Sequence, residues 1–226
     1  TQSRSSAASD VYKRQGGVGK SFLISAIRHC INRTFKRGSH DSAVLVSAST
    51  GVAAALIDGQ TIHQLLQLDC QEGGFFNQKS LSSAKRDKMF TSIFKNVRYL
   101  IIDEVSMIGN TNLNQIHSRL NQLYGLSGKN DYFGGINIIF VGDLFQIPPV
   151  QQTKIFDPRG LAALGVNYWT DFVTFSELTD VVRSKGDAPF TQLTHRLRIG
   201  QQTTADVNTL MSRVIPKMPS ISELMD

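Results

Sequence analysis

Three short apolar runs constrain the fold of this chain more than any other feature of its sequence. They occupy residues 43–46, 97–102 and 136–141, lengths that suit buried β-strands. The segment 113–123, between the last two runs, carries apolar residues at helical spacing. Strands that alternate with helices predict an α/β domain with a mostly parallel sheet flanked by helices. Polar residues follow two of the runs, at the strand ends where open sheets of this class bind ligands.

Composition excludes several classes of protein. Hydrophobic residues make up 41% and charged residues 19% of the 226 residues, as in ordinary globular domains. No run is long and apolar enough to cross a bilayer, and no signal peptide is recognisable, so we expect no membrane partner and no secretion. The nucleus, a mitochondrion, the cytoplasm or a virus are the expected locations. The net charge of +6 favours a polyanionic partner, most commonly nucleic acid.

A glycine-rich segment at 16–19 leads directly into Lys20, Ser21 and an apolar helix. Glycines allow backbone N–H groups to surround a phosphate chain, and a helix N-terminus adds partial positive charge. We predict that Lys20 reaches the outer phosphates and that the Ser21 hydroxyl binds Mg²⁺. The alternative is a glycine-rich turn that only caps a helix, since Arg14 stands where the full phosphate-loop pattern has glycine. The residues predicted to bind the nucleotide are Gly16, Gly17, Val18, Gly19, Lys20, Ser21 and Phe22.

Two acidic residues, Asp103 and Glu104, end the second apolar run. Beside a phosphate loop, Asp103 can hold the hydration shell of Mg²⁺, and Glu104 can act as the general base on the attacking water. The alternative is a solvated strand end. The third run continues into the segment 142–150, in which Gln146 can sense the terminal phosphate or orient water. A strand followed by a proline turn would explain only the prolines of that segment.

Four ordered motifs resemble those of the petite-integration-frequency (PIF) helicases, DNA helicases of superfamily one related to the RecD-type enzymes. The motifs are ASTGVAA at 48–54, GQTIH at 59–63, IIDEVSM at 101–107 and GDLFQIPPV at 142–150, and the resemblance extends over 16–200. It implies a RecA-like P-loop NTPase fold and hydrolysis of ATP with Mg²⁺ as cofactor. It also implies five-prime-to-three-prime movement on single-stranded DNA and unwinding of forked or tailed duplex DNA, in replication, repair or recombination.

The resemblance assigns contacts with DNA to two segments of the chain. In the family, the residues matching Ser49, Thr50 and Gly51 lie along the single strand, as does the region of His63. From the residues alone, Thr50 could equally be the N-cap of a helix, and both roles are compatible. A histidine such as His63 is, outside this motif, more often packed in a core.

One arginine is assigned a catalytic role by the same resemblance. Residues 178–183 resemble the family segment whose arginine touches the γ-phosphate, and Arg183 stands at that position. A guanidinium suits this role because it is permanently charged and binds phosphate oxygens in a bidentate manner. The family has glutamine after this arginine, whereas this chain has Ser184, and a surface arginine at a strand end is the alternative.

Composition and motif content divide the chain into three parts. Residues 1–15 are polar, and we expect a poorly ordered or non-native leader with no strand before the phosphate loop. Residues 16–200 are expected to form the ATPase domain, with an inserted subdomain at 66–84 whose two adjacent phenylalanines are either a strand-separating wedge or a small local core. Residues 201–226 are expected to begin a truncated second domain. We therefore expect a monomer that cannot unwind DNA by itself.

Two other functions remain open on the sequence alone. A catalytically incomplete fragment that only binds nucleotide and DNA is favoured by Arg14 and by the lack of a second set of motifs. A nucleotide-dependent switch or chaperone ATPase could use the same loop, but the motifs at 48–54 and 142–150 are typical of helicases. Hydrolysis of ATP that is stimulated by DNA would distinguish a helicase from both alternatives.

Overall fold

The computed structural model of the chain describes residues 9–13, 19–35, 42–68, 80–128, 131–157, 159, 167–178 and 187–214. The chain divides into two compact units, Thr1–Asp180 and Val181–Asp226. This division lies earlier in the chain than the boundary near residue 200 that we expected from the motifs. Among the described residues, no helix has the length and apolarity needed to span a membrane.

A parallel sheet forms the centre of the first unit. Its six described strands follow the order β3-β2-β4-β5-β1-β6, and every neighbouring pair is parallel. The α/β class and the mostly parallel sheet predicted from the sequence are therefore confirmed. The strands are β1 (Ser9–Lys13), β2 (Val44–Ala48), β3 (Gln60–Thr61), β4 (Tyr99–Asp103), β5 (Asn137–Gly142) and β6 (Val173–Glu177).

Helices connect these strands, as parallel pairing requires. In the first unit they are α1 (Lys20–Phe35), α2 (Gly51–Leu56), α3 (Ile62–Leu66), α4 (Ser83–Met89), α5 (Asn110–Tyr124) and α6 (Tyr168–Phe172). A π-helical turn at Phe90–Phe94 continues α4, and short 3₁₀ turns occupy Val105–Met107 and Phe133–Gly135.

Hydrophobic clusters cover both faces of the sheet. Successive residues of a strand point to opposite faces, so Leu100 and Ile102 of β4 belong to one cluster and Ile101 to the other. The apolar face of α5 packs in the first cluster, and the buried positions of α1, Ile24 and Ile31, pack in the second. Burial on both faces explains why β2, β4 and β5 consist mainly of apolar residues instead of alternating between apolar and polar residues.

The strand β1 corrects one expectation from the sequence. We expected no strand before the phosphate loop, but the backbone of Ser9–Lys13 pairs with β5 on one side and with β6 on the other. Only Val11 and Tyr12 are apolar in this segment, so its composition did not predict a strand between two neighbours. The pairing depends on backbone N–H and C=O groups, which every residue here possesses. Residues 1–8 and Arg14 lie outside the described residues, so a non-native leader stays a prediction.

The expected inserted subdomain is described only at its two ends. Leu66 and Leu68 are buried in the cluster beneath α5, and residues 80–82 lead into α4. The adjacent phenylalanines, Phe75 and Phe76, lie outside the described residues, so their role as wedge or local core stays a prediction.

The second unit contains two described helices, α7 (Ala188–Arg198) and α8 (Thr204–Met211). The guanidinium of Arg196 donates two hydrogen bonds to the Asp206 carboxylate, at 2.7 and 2.6 Å. Asp206 also accepts from the backbone N–H of Thr203, which is the N-cap of α8 and forms a capping box with it. The pairing joins the two helices and holds the pKa of Asp206 far below its ordinary value.

Candidate nucleotide and DNA site

Lys20 and Glu104 meet at the edge of the sheet where the parallel strands end. Lys20 is the first residue of α1, directly after Gly19, whose φ of +86° is in the left-handed region that glycine readily adopts. The Lys20 side chain is only 13% exposed, and its Nζ lies 3.4 Å from Oε1 of Glu104. The structure therefore brings the lysine of the predicted phosphate loop together with the predicted general base.

The backbone at Glu104 turns sharply at the end of β4. Glu104 has φ +53° and ψ +48°, a left-handed conformation that is uncommon for a residue with a side chain. Its N–H donates to Oδ1 of Asp103 at 2.8 Å, and its carbonyl accepts from the Ser49 hydroxyl at 3.0 Å. These two hydrogen bonds stabilise the turn, which directs the Glu104 carboxylate towards Lys20.

Asp103 is a buried carboxylate, 5% exposed, at the last position of β4. Burial raises its pKa, while the hydrogen bond from the Glu104 backbone and the charge of Lys20 act in the opposite direction. Within the described residues, its Oδ2 has no hydrogen-bond partner. Ser21, the other predicted magnesium ligand, is exposed in the first turn of α1. One carboxylate oxygen is therefore available for a hydrated cation near the start of α1.

The segment after β5 lies against the turn at Glu104. A Cβ atom at Gly142 would be 2.7 Å from the backbone nitrogen of Val105, so this contact requires glycine. Asp143 is buried, and it accepts from the N–H groups of Phe145 through Oδ1 (3.0 Å) and of Gln146 through its carbonyl (2.9 Å). Gln146 itself is exposed. The two acidic strand ends are thus packed together, with Gln146 on the turn that follows.

The predicted DNA contacts lie along the same edge of the sheet. The register pairs Ala48 with both Thr61 and Asp103, so the residues that follow β2, β3 and β4 emerge side by side. Thr50 is the N-cap of α2, and its hydroxyl accepts from the Ala53 N–H at 3.2 Å, which confirms the capping role. A Cβ atom at Gly51 would meet nothing within 4 Å, so space for a ligand is open there.

His63 is half-buried in α3 and contacts a polar residue of α5. Its Nε2 lies 3.1 Å from the side-chain amide nitrogen of Asn112, which is 7% exposed. Desolvation lowers the pKa of His63 below its ordinary value of 6.5, so the ring is neutral at pH 7. The structure shows His63 as a partly packed side chain, and its contact with DNA stays a prediction.

A sequence profile of the PIF1-like helicases matches residues 4–206 of the chain. The chain belongs to the PIF1-like helicase family. This match includes β1, which precedes the range 16–200 covered by the resemblance of the motifs. It also extends into the second unit. The relation to PIF helicases expected from four motifs is confirmed.

Curated relatives show the same relation over most of the chain. The helicase PIF1 of Candida albicans is 32% identical over 203 residues, which are 86% of this chain and 21% of that protein. The helicase PIF1 of Saccharomyces cerevisiae is 31% identical over 84% of this chain and 21% of its own length. The chain thus spans about a fifth of the length of these PIF1-like helicases.

Solved structures of PIF1-like helicases share the fold. The structure of Pif1 from Candida albicans covers 96% of this chain with a TM-score of 0.69 and 27% identity, and the match spans 46% of that structure. A structure of Bacteroides Pif1 with ADP-AlF3 and single-stranded DNA covers 96% of the chain and 48% of its own length, with a TM-score of 0.66 and 23% identity. The RecA-like fold expected from the resemblance is confirmed.

Several predicted site residues of this PIF1-like chain remain untested. Gly16, Gly17, Val18 and Arg183 lie outside the described residues, and Phe22 has a side chain that is 80% exposed. The structure brings together Lys20, Ser49, Asp103 and Glu104, and it places Thr50 and His63 along the adjoining strand ends.

Asn112 is a polar partner of His63 that the motifs did not predict. A signal was present, because polar side chains recur at helical spacing beside the apolar face of α5, at Asn112, Gln115, Arg119 and Gln122. Arg119, 2% exposed, donates to the carbonyl of Gln67 at the end of α3. Asn112 and Arg119 therefore attach α5 to the helix that carries His63, whereas Gln122 donates to the carbonyl of Leu81.

Proposed function

We propose that this chain is the ATP-hydrolysing motor domain of a DNA helicase that moves along single-stranded DNA. The observation that carries the proposal is the contact between Lys20 and Glu104, 3.4 Å apart, at the strand ends next to the predicted DNA-contacting residues. A phosphate-loop lysine beside a candidate base suits phosphoryl transfer to water. The five-prime-to-three-prime direction of movement is proposed on the resemblance to PIF helicases.

The nucleotide binds with its phosphates at the N-terminus of α1 in this proposal. The helix N-terminus and Lys20 supply positive charge there, and Lys20 exchanges part of its interaction with Glu104 for the outer phosphates. Ser21 and Asp103 would hold Mg²⁺, because a hydroxyl and a carboxylate are oxygen ligands of the kind this ion takes and Asp103 has one carboxylate oxygen without a hydrogen bond among the described residues. When bound, Mg²⁺ neutralises charge on the phosphate oxygens. Among the described residues, no group of three or more His, Cys, Asp or Glu side chains could hold a metal ion by itself. Mg²⁺ beside a nucleotide does not need such a group, because phosphates and water supply the other ligands.

Glu104 orients and deprotonates the attacking water in this proposal. The left-handed turn holds its carboxylate near Lys20, and therefore near the terminal phosphate that Lys20 binds. Gln146, on the exposed turn after Asp143, is proposed to sense the same phosphate or to orient the water. Arg183 is proposed as a further charge on the γ-phosphate by resemblance alone.

Single-stranded DNA lies along the adjoining strand ends in this proposal. Ser49, Thr50, Gly51 and His63 form the contacts, and the related Bacteroides Pif1 has been solved with single-stranded DNA. Forked or tailed duplex DNA is the proposed substrate, as in the related structure that concerns DNA unwinding at forked duplex DNA. Ser49 joins the two sites, because its hydroxyl donates to the Glu104 carbonyl.

Nucleotide binding and hydrolysis by the purified chain test the proposal. We expect the wild type to bind ATP with Mg²⁺ weakly and to hydrolyse it slowly, at a rate that rises little when oligo(dT) is added. Lys20→Ala should lose binding, because charge on the phosphates is no longer compensated. Glu104→Gln should bind ATP and lose turnover, by about a hundredfold or more. Lys88→Ala, an exposed lysine of α4, is the matched control and should change neither.

Three results would contradict parts of this assignment. Failure of the wild type to bind ATP would refute the nucleotide site. Near-normal turnover by Glu104→Gln would show that the base is another group. Binding of ATP and DNA without any stimulated hydrolysis would favour the alternative, a domain that only binds nucleotide and DNA.

A further inference from the structure

We propose that Asn112 is a positioning residue that fixes the tautomer of His63, so that the N–H at Nδ1 is presented to an acceptor atom of the DNA strand. The inference rests on the proposed function, because it concerns which ring nitrogen of His63 donates a hydrogen bond to the DNA that the residue is proposed to contact. Its basis is a contact between two elements that are far apart in sequence, α3 and α5.

The donor at the contact with His63 can only be the amide of Asn112. Nδ2 of Asn112 lies 3.1 Å from Nε2 of His63, and an amide nitrogen donates but does not accept. Nε2 must therefore accept, and a neutral imidazole that accepts at Nε2 carries its hydrogen at Nδ1. The second hydrogen of the same amide faces Oε1 of Gln115 at 3.4 Å, which keeps the amide group in this orientation.

Burial makes this arrangement specific. Asn112 is 7% exposed, so an unpaired amide there would be costly, and its contact with His63 satisfies it. The pKa of His63 is lowered by desolvation, so the ring has one N–H rather than two at pH 7. The protein thus decides which nitrogen of His63 is the donor.

The other nitrogen of His63 is available to a ligand. Within the described residues, Nδ1 makes no hydrogen bond, and it is not one of the fully buried polar atoms that lack a partner. It therefore reaches solvent. α3 begins at the strand end beside Thr50, because Thr61 pairs with Ala48 in the sheet. A donor on α3 is therefore close to the edge along which the DNA strand is proposed to lie, and an N–H there can donate to phosphate oxygens or to acceptor atoms of the bases.

The tautomer is measured directly by the ring ¹⁵N chemical shifts of His63 in the DNA-free chain. We expect Nδ1 to be protonated in the wild type at pH 7. Asn112→Leu, similar in volume but without a donor, should shift the ring towards the Nε2-protonated form, and Asn112→Asp should do so further because a carboxylate accepts from Nε2–H. Asn114→Leu is the matched control on the same helix, since Asn114 bonds only to the Asn110 carbonyl among described residues. A wild-type ring protonated at Nε2 would overturn the inference.

Affinity for oligo(dT) at fixed salt then tests the consequence. We expect Asn112→Leu to weaken binding by about three- to tenfold, the effect of misplacing one hydrogen bond to a charged or polar acceptor, with Asn114→Leu unchanged. In a His63→Asn background the amide nitrogen replaces Nδ1 as donor without needing Asn112, so Asn112→Leu should then cost nothing. Equal losses in both backgrounds would show a merely structural role and overturn the inference.

The two proposals fail in different ways. If the folded wild type binds no single-stranded DNA, the proposed DNA interface fails, and the positioning role fails with it. If the wild type binds DNA but Asn112→Leu changes neither the ring tautomer nor the affinity, only the positioning role is refuted. Thermal unfolding of each variant checks that the comparison is made between folded proteins.

Discussion

Gly142 makes a close backbone contact at the site, between the end of β5 and the turn at Glu104. A Cβ atom there would lie 2.7 Å from the nitrogen and 2.9 Å from Cγ1 of Val105, next to the residue whose carboxylate meets Lys20. Backbone atoms cannot move aside as a flexible side chain can. Because Gly142 has no Cβ atom, the end of β5 can lie against Val105, and the position of Glu104 depends on this close approach.

Gly142→Ala should impair both stability and catalysis. The added methyl group must displace the backbone at Val105, and we expect a loss of about 1–3 kcal/mol in the free energy of unfolding. ATP turnover should fall more than ATP binding does, because Glu104 moves while Lys20 keeps its place on α1. Gly51→Ala is the contrast in the unfolding measurement, since nothing lies within 4 Å of its Cβ position. Equal stability of Gly142→Ala and the wild type would contradict the contact.

Short elements at the site depend on their ends. α2 has six residues, and its Thr50 cap satisfies one of the free N–H groups that a helix of this length cannot pair internally. α3 has five residues and uses Thr61 in the same way, with the Gln64 N–H donating to its hydroxyl at 3.2 Å. Such helices form because the surrounding packing and caps stabilise them, as isolated segments of this length would not.

Substitutions at Thr50 separate its capping role from its proposed contact with DNA. Thr50→Ala should lower the free energy of unfolding by about 1 kcal/mol, because the Ala53 N–H loses its partner. Thr50→Ser should keep the cap and the stability. If Thr50 also contacts DNA, Thr50→Ala should weaken oligo(dT) binding under conditions in which it remains folded. Full stability of Thr50→Ala in chemical denaturation would refute the capping role.

Proline in β1 tests whether this strand has two neighbours in solution. Val11 pairs with Phe140 of β5 and with Phe175 of β6. A proline removes the backbone donor, so Val11→Pro should cost at least about 1–3 kcal/mol in the free energy of unfolding. Val11→Ala keeps the N–H and is the control for the side chain. An unchanged melting temperature for Val11→Pro would restore the expectation that no strand precedes the phosphate loop.

At the scale of the first unit, an aromatic cluster joins elements from three parts of the chain. The ring of His117 in α5 stacks on Tyr168 of α6 at 4.2 Å and meets Phe133 edge-on at 5.2 Å. Nδ1 of His117 accepts from the Phe133 N–H at 3.2 Å. Burial lowers the pKa of His117 from 6.5 to about 4, so the fold requires this ring to be neutral.

Stability should therefore decrease in mild acid. Between pH 6.5 and about 4 the unfolded chain binds a proton at His117 that the folded chain does not, so the contribution is intact above pH 6.5 and declines as the pH falls towards 4. His117→Asn keeps an acceptor at the position of Nδ1 for the Phe133 N–H and cannot titrate, so it should flatten this dependence. The measurement is the urea midpoint across pH 4–8, and the same slope for both proteins would contradict the assignment. The pKa of His63 is also lowered, so His63 adds a decrease of stability in acid to the wild type and to the His117 variant alike.

The sequence by itself determined the α/β class, three buried strands and the pair of acids at the end of β4, and it offered the Thr50 cap as one of two compatible roles. These features depend on local patterns: buried parallel strands need continuous apolar runs, and a cap needs a hydroxyl at one position. The resemblance of four motifs to PIF helicases added the family. A position of Asp103 and Glu104 beside the phosphate loop was expected as well, because open parallel sheets bind ligands at the carboxyl ends of their strands, and the contact of Glu104 with Lys20 agrees with it.

Only the tertiary structure decided which segments lie side by side. The polar segment Ser9–Lys13 became a strand through backbone pairing with β5 and β6, which composition does not encode. The left-handed turn at Glu104 has a local hydrogen bond from its N–H to Asp103, but the hydrogen bond from Ser49 to its carbonyl forms only when β2 and β4 are adjacent. Asn112 reaches His63 across 49 residues of chain, and a buried amide finds its partner only when the two helices pack. Such contacts follow from three-dimensional proximity, and no local pattern specifies them.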